Sequence, residues 1–297
     1  MKYSKAIFFV FLFFTITNNY SKNKKEIIPP NGIKINDSTF IDKTEMTNLD
    51  YREYLHWLER IFTKDSKKYK DAQPKQKGLW NGFFITDTSN LGLIYQRNPY
   101  EQNYFTHPVY NNYPLVGINY EQALKYCEWR TDRIYEVQLS KNKIRELKNQ
   151  DSIDYFTIDK FLNGEIKFNN EYKSRITAIP IFRYILPDSA EYTLALKVLD
   201  TCKIKHIYFT IGNNDRVLIE SVYPGYKLHK TNYIYHLYDN ISELVFENGI
   251  IFGGNWKNRT YHSNFTQITN IEPSNYIGFR CVAVKEFPSK DCKVLKE

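Results

Sequence analysis

The chain has 297 residues, of which 42% are hydrophobic and 16% aromatic, and its net charge is +8. That length suits one large domain or two small ones with a substantial core. The basic residues are dispersed, and the densest runs (22–25 and 66–70) do not alternate with aromatics along a helix or strand face. Nucleic acid is therefore not expected as a partner, and the charge reads as a solvated surface.

At the N-terminus Lys2 and Lys5 precede an apolar run from Ala6 to Ile16, followed by polar residues. A short positive region ahead of an eleven-residue run, ten of them apolar, predicts a secretory signal. The run is too short to span a bilayer as a helix. It lacks a small-x-small cleavage site, and no cysteine follows it to take a lipid. Residues 1–20 are thus expected to be a cleaved signal or an uncleaved anchor, the one point of membrane contact. Loss of Lys2 and Lys5 would lower the charge from +8 to +6. The expected location is periplasmic, outer-membrane-associated or extracellular. The four cysteines, Cys127, Cys202, Cys281 and Cys292, form no CxxC and no Cys/His pair at zinc spacing, so disulfides are expected.

Residues 21–29 read as a linker, and the folded part is expected from Pro30 to about 287, with a charged tail at 288–297. Ile33–Ile41 alternates apolar and polar residues around Asn36-Asp37, predicting strand and turn. Thr47 with Asp50 predicts an N-cap for a helix whose face carries Tyr51, Tyr54, Leu55, Leu58, Ile61 and Phe62. Residues 64–78 read as a loop and 79–113 as irregular. Asn119 with Gln122 caps a second predicted helix, running to about 147 with Ala123, Cys127, Ile134 and Val137 inward. Residues 148–176 are polar and without clear pattern. Asp188 and Glu191 start a third helix through Val198. Two β-branched runs around Gly212–Asp215 predict a hairpin at 204–222, and Asn248-Gly249 the turn of a second at 245–252. Phe279–Val284 reads as a last strand. Short helices and strands between long aperiodic stretches indicate α+β rather than βαβ winding.

Several segments then carry a resemblance. They are TEMTNLDY (44–51), PLVGINYEQALKYCEW (114–129), ILPDSAEY (185–192), LYDNISELV (237–245), GGNW (253–256) and GFRC (278–281). In this order they resemble the formylglycine-generating, sulfatase-modifying-factor family over about residues 30–287. The resemblance implies a C-type-lectin-like α+β fold with much irregular backbone, here with an insertion at about 136–180. RTDRIYE (130–136) resembles non-enzymatic envelope members of that family associated with gliding motility and secretion.

The founding activity of the family uses two cysteines between G-G and G-F-R to bind copper. Those positions hold Asn258 and Ser263 here, and neither supplies the soft thiolate that suits Cu(I). Copper is not expected, and no catalytic residue is assigned. Another branch holds iron with histidines and a carboxylate, but His206, His229, His236 and His262 show no HxxxE or HxH spacing. No Walker, GxSxG or HExxH motif is present. Asn240 and Glu243 fall where family members help hold a structural calcium; the other reading is a turn cap and a backbone hydrogen bond. The resemblance also implies a Cys127–Cys281 disulfide, which leaves Cys202 with Cys292. The segment 257–276, with Asn258, Tyr261, His262 and Asn264, is the expected binding surface, rich in residues that make adaptable contacts. Two functions remain open: a non-catalytic binding or scaffolding module with envelope partners, and an enzyme of this family with divergent, thiolate-independent chemistry.

Overall fold

The computed structural model describes residues 26–81, 85–87, 95–98, 100–147, 150–201, 219–223, 233–257, 264–268 and 270–296, with backbone only at 85–87, 95–97, 200 and 201. The signal segment, residues 204–218 of the expected hairpin, Cys202, Asn258, Tyr261, His262 and Ser263 lie outside the described residues; the hairpin's end, 219–222, is described and is not strand.

The chain opens with β1 (Gly32–Lys34) and β2 (Thr39–Asp42), an antiparallel pair with Ile33 opposite Ile41. Asn36 makes the turn, its Oδ1 accepting from the Ser38 and Thr39 amides (2.9 and 2.8 Å). Helix α1 (Asn48–Phe62) starts at the expected cap: Thr47 Oγ1 accepts from the Asp50 amide (3.1 Å), and the Asp50 carboxylate from the Thr47 amide (3.2 Å). Tyr51, Tyr54, Leu55, Leu58 and Ile61 are buried as the spacing demands, whereas Phe62 is only partly so.

The expected loop at 64–78 contains a one-turn helix, α2 (Lys67–Asp71), capped by Ser66. Its polar composition hides it, because it buries nothing and is held mainly by its cap. The irregular 79–113 stretch holds a short ribbon, β3 (Ile85–Asp87) with β4 (Tyr95–Arg97), and a 3₁₀ turn at Pro108–Tyr110.

Helix α3 (Tyr120–Lys141) begins at Asn119, whose Oδ1 accepts from the Gln122 amide while Gln122 Oε1 accepts from the Asn119 amide (both 2.9 Å). Its end falls short of 147. Lys143 turns to φ 63°, and the Ile144 amide reaches back to Leu139 O (3.0 Å), so the chain folds under the helix. Ala123 and Cys127 are buried and Ile134, half-buried, packs against the core as expected; Val137 is half-buried, and Tyr135, Glu136 and Leu139 are buried as well.

Residues 148–176 do not stay outside the core. α4 (Ile158–Leu162) and a 3₁₀ helix at Asn170–Ala178 carry Phe156, Ile158, Phe161 and Ile176 into a cluster with Tyr135, Leu139 and Ile144. Buried Glu136 binds this layer, receiving Arg133 Nη1 (2.6 Å), Arg145 Nε (3.2 Å) and Gln150 Nε2 (2.6 Å). The C-terminal tail belongs to it too: Val294, in a 3₁₀ turn at Lys293–Leu295, is fully buried there. Cys292 and Leu295, partly buried, pack against the same cluster and help dock the charged segment.

β5 (Ile181–Ile185) leads into α5 (Ser189–Thr201), where Asp188 and Glu191 exchange side-chain-to-amide bonds of 2.8 and 2.9 Å. β6 (Ser242–Leu244) and β7 (Ile250–Phe252) form the expected hairpin, with Gly249 at φ +87° in its turn. β8 (Phe265–Gln267), β9 (Ile277–Gly278) and β10 (Val282–Glu286) complete the chain. One sheet runs β1-β2-β10-β5, all antiparallel; the other runs β8-β7-β6-β9, with β6 and β9 parallel. The last expected strand is therefore split. Residues 279–281 leave one sheet and enter the other, their carbonyls meeting the Met46 and Asp42 amides (both 2.9 Å).

Gly278, the first residue of the G-F-R segment, sits at this transfer. A Cβ there would lie 2.2 Å from Leu115 O and 2.5 Å from Ile241 Cδ1, so only glycine lets the strand pass. Gly278→Ala is expected to cost about 1–3 kcal/mol through overpacking, read as a lower urea midpoint at unchanged slope.

Candidate functional site

The split strand turns Arg280 into the interior, where it is fully buried. Its Nε donates to both oxygens of Glu243 (2.8 and 2.7 Å), and Nη2 donates to Oε1 (2.6 Å). Nη1 donates to Asp42 O (3.1 Å), and Nη2 also to the carbonyls of Tyr235 (2.9 Å) and His236 (3.2 Å). Burial alone would lower the pKa of this guanidinium; the Glu243 carboxylate outweighs it and holds the group charged. Tyr192 on α5 donates its hydroxyl to Glu243 Oε2 (2.7 Å) and stacks on Phe252 of β7 at 4.1 Å.

Beside this pair lies the loop 233–241. Asn240, in the left-handed region at φ 64°, donates to Glu45 Oε2 (2.9 Å) and accepts at Oδ1 from the Glu220 amide (2.9 Å). His236, at φ 52°, contacts Asp239 Oδ1 through Nδ1 (2.8 Å). Burial pushes the Glu45 carboxyl up to about 8, against the pull of His236 and Arg280. Burial would lower His236, but its bond to Asp239 and the Glu45 charge raise it to about 9.

A second buried ion pair supports the other end of the G-F-R-C segment. Arg130 on α3 grips Asp42 with two nitrogens (2.6 and 2.9 Å) and lies over the Tyr184 ring at 4.0 Å. Asp42 Oδ2 also accepts the Cys281 amide (3.1 Å). Cys281 and Cys127 are both buried, with their Sγ atoms 3.6 Å apart. They face each other as thiols in contact rather than at the roughly 2.05 Å of a bonded pair. Burial and the neighbouring Cys127 push the Cys281 thiol well above its usual value, which makes it a poor nucleophile. Cys292 is a half-buried free thiol in the insertion core.

Next to the two ends of the expected binding segment, Trp256 and Tyr276 join an aromatic wall. Trp256, the last residue of G-G-N-W, stacks on Trp80 at 5.8 Å, and Trp80 meets Tyr100 and Tyr104 at 4.7 and 4.8 Å. Tyr110 stacks on Tyr104 at 5.6 Å and meets Tyr113 at 5.2 Å. Trp256 Nε1 donates to Asn275 O (2.8 Å), which fixes the start and end of the 257–276 segment together. At its rim Lys257 lies over the Tyr276 ring (4.9 Å), and Asn264 is exposed, its carbonyl taking the Gly253 amide (3.2 Å).

The family model described as the sulfatase-modifying factor enzyme 1-like domain matches residues 13–214. The chain belongs to that family. The match ends before the G-G-N-W and G-F-R-C segments, which the structure nonetheless brings against the matched part: Trp256 stacks on Trp80, and Asp42 meets Arg280 and the Cys281 amide. No curated relative matches the chain. Among solved structures, the crystal structure of CarF is similar over 83% of this chain and 86% of its own, at 13% identity and a TM-score of 0.32.

The calcium expected at Asn240 and Glu243 does not fit these residues. Both oxygens of Glu243 face Arg280 or Tyr192, and the Asn240 oxygen accepts a backbone amide. A guanidinium already supplies the positive charge a calcium ion would bring. The partner missing from the sequence reading was Arg280, 37 residues from Glu243. Its only sequence signal was its place in G-F-R, which names no partner. Among the described residues no group of three or more His, Cys, Asp and Glu could hold a metal.

Two results are expected. Glu243→Gln strands a buried guanidinium and should cost about 3–5 kcal/mol, measured by urea unfolding. Calcium and a chelator should each leave the melting temperature of the wild-type protein unchanged.

Proposed function

We propose that this chain is a non-catalytic binding or scaffolding module of the cell envelope, exported through its N-terminal segment and acting among other envelope proteins in gliding motility or protein secretion. The observation that carries this reading is the pair Asn258 and Ser263, which stand where the oxidising members of the family need thiolates. Cys127 and Cys281 are buried side by side, their Sγ atoms 3.6 Å apart. The aromatic wall of Trp80, Trp256 and the tyrosines offers instead a rigid base for the Asn-, Thr- and Tyr-rich 257–276 segment. Rigid aromatics under adaptable polar side chains make a recognition surface.

The purified protein is expected not to convert the cysteine of a CxPxR peptide to formylglycine, with or without copper; copper-dependent aldehyde formation would sink the reading. In cells, a photo-crosslinking residue at exposed Asn264 is expected to trap a defined envelope protein that one at Lys173, on the insertion, does not. Identical products from both sites would count against a specific face.

Export also supplies the oxidising compartment in which Cys127 and Cys281 would close to a disulfide. Alkylation before and after reduction, followed by peptide mass spectrometry, is expected to find these two cysteines blocked in the exported protein and free in protein made in a reducing cytoplasm. Such a long closure adds roughly 4–5 kcal/mol in the chain-entropy model.

A further inference from the structure

A free sheet edge is a template for another strand, and proteins cover or charge it for that reason. The edges at β1, β5 and β9 are closed in this way. At β1 the Gly32 amide turns back to Pro29 O (3.0 Å), and the next outward-facing residue, Lys34, pairs with Glu26 (2.8 Å). At β5 the outward Tyr184 amide donates to Thr131 Oγ1 of α3 (2.8 Å). At β9 Gly278 lies against the Leu115 carbonyl, which a Cβ there would meet at 2.2 Å.

β8, the remaining edge of the two four-stranded sheets, has no such cover. Phe265, Thr266 and Gln267 are all exposed. The ladder fixes which way their backbone groups point. The Gly253 amide donates to Asn264 O (3.2 Å), and the Ile268 amide donates to Gly249 O (2.8 Å). Asn264, Thr266 and Ile268 therefore bond inward to β7, because inward pairing recurs at every second residue. The amides and carbonyls of Phe265 and Gln267 point away from the sheet and meet no partner among the described residues. Residues 264–271 (NFTQITNI) hold no charge and no proline, the usual guards of an edge. The strand is nonetheless firmly seated. The Phe265 ring packs on Phe252 (4.9 Å) and stands edge-on to Tyr192 (6.0 Å), while 39% of the residue stays exposed.

We propose that the β8 edge takes an extended segment of a partner protein as a further strand of this sheet, with an apolar side chain set beside Phe265. The inference rests on the reading of 257–276 as a binding surface and names what that surface binds. Two amides and two carbonyls repeating about every 6.8 Å are matched by extended main chain, not by a side-chain surface. A second copy docking edge to edge would present the same two outward residues, far short of the roughly 800 Å² per partner that a stable dimer buries. A flexible segment needs no rigid face of its own and can follow the edge alone.

The test pans a random heptapeptide phage library on the purified protein. Recovered peptides are then synthesised and titrated by fluorescence anisotropy against wild type, Gln267→Pro and Gln267→Ala. Proline at 267 removes one outward amide and fills its place with the ring, leaving the bonds to β7 intact. Affinity should fall at least about tenfold in Gln267→Pro, and stay within about threefold in Gln267→Ala because main chain is what is read. N-methylation of alternate peptide amides should abolish binding to wild type, while the intervening amides tolerate it. No enriched peptide, or equal affinity for wild type and Gln267→Pro, overturns the proposal. So does a wild-type dimer in sedimentation that Gln267→Pro splits, which would give the edge to a second copy. Should Gln267→Pro not fold, the N-methyl scan on wild type decides. A failed panning leaves the non-catalytic reading standing, since that reading falls to copper-dependent aldehyde formation.

Discussion

The Arg280–Glu243 ion pair is the contact on which the rest of the structure depends. It is buried, made by three nitrogen–oxygen contacts, and joins β6 to the segment that passes from one sheet to the other. A charge so placed is tolerated because each nitrogen of the guanidinium has a partner, on a carboxylate or on a backbone carbonyl. The same contacts fix where the irregular loops run. Asp42, Tyr235 and His236 hold their places because Arg280 takes their carbonyls.

Around that pair the fold spreads polar ties where regular structure is absent. Asp42 carries Arg130 on its carboxylate, the Cys281 amide on the same carboxylate and Arg280 on its carbonyl. Asn48, buried after the first cap, donates to the Tyr104 and Tyr110 carbonyls at 3.0 and 3.1 Å and so aligns the aromatic wall with α1. A fold with this much aperiodic backbone has to satisfy its carbonyls with side chains, and asparagine, arginine and tyrosine do so here.

The proposed role is recognition rather than chemistry. A surface built on stacked tryptophans and tyrosines is stiff, and the neighbouring 257–276 segment is rich in polar residues by sequence. The loop 233–241 carries two residues at positive φ, His236 and Asn240, and is anchored in the core by Ile234, Leu237 and Ile241.

Local signals in the sequence decided what local physics decides. The reciprocal caps at Thr47/Asp50, Asn119/Gln122 and Asp188/Glu191 each fixed a helix start, because both halves of the box lie within one turn. Asn248-Gly249 marked its hairpin for the same reason, and the ordered segments carried the family. The contact of Cys127 with Cys281 was legible only through resemblance to that family. The tertiary structure alone decided the rest. Glu243 meets an arginine rather than a calcium ion, the last strand divides between two sheets, and Val294 docks a charged tail into the insertion core. Each of these joins residues far apart in the chain, and no local spacing records which buried charge finds which partner.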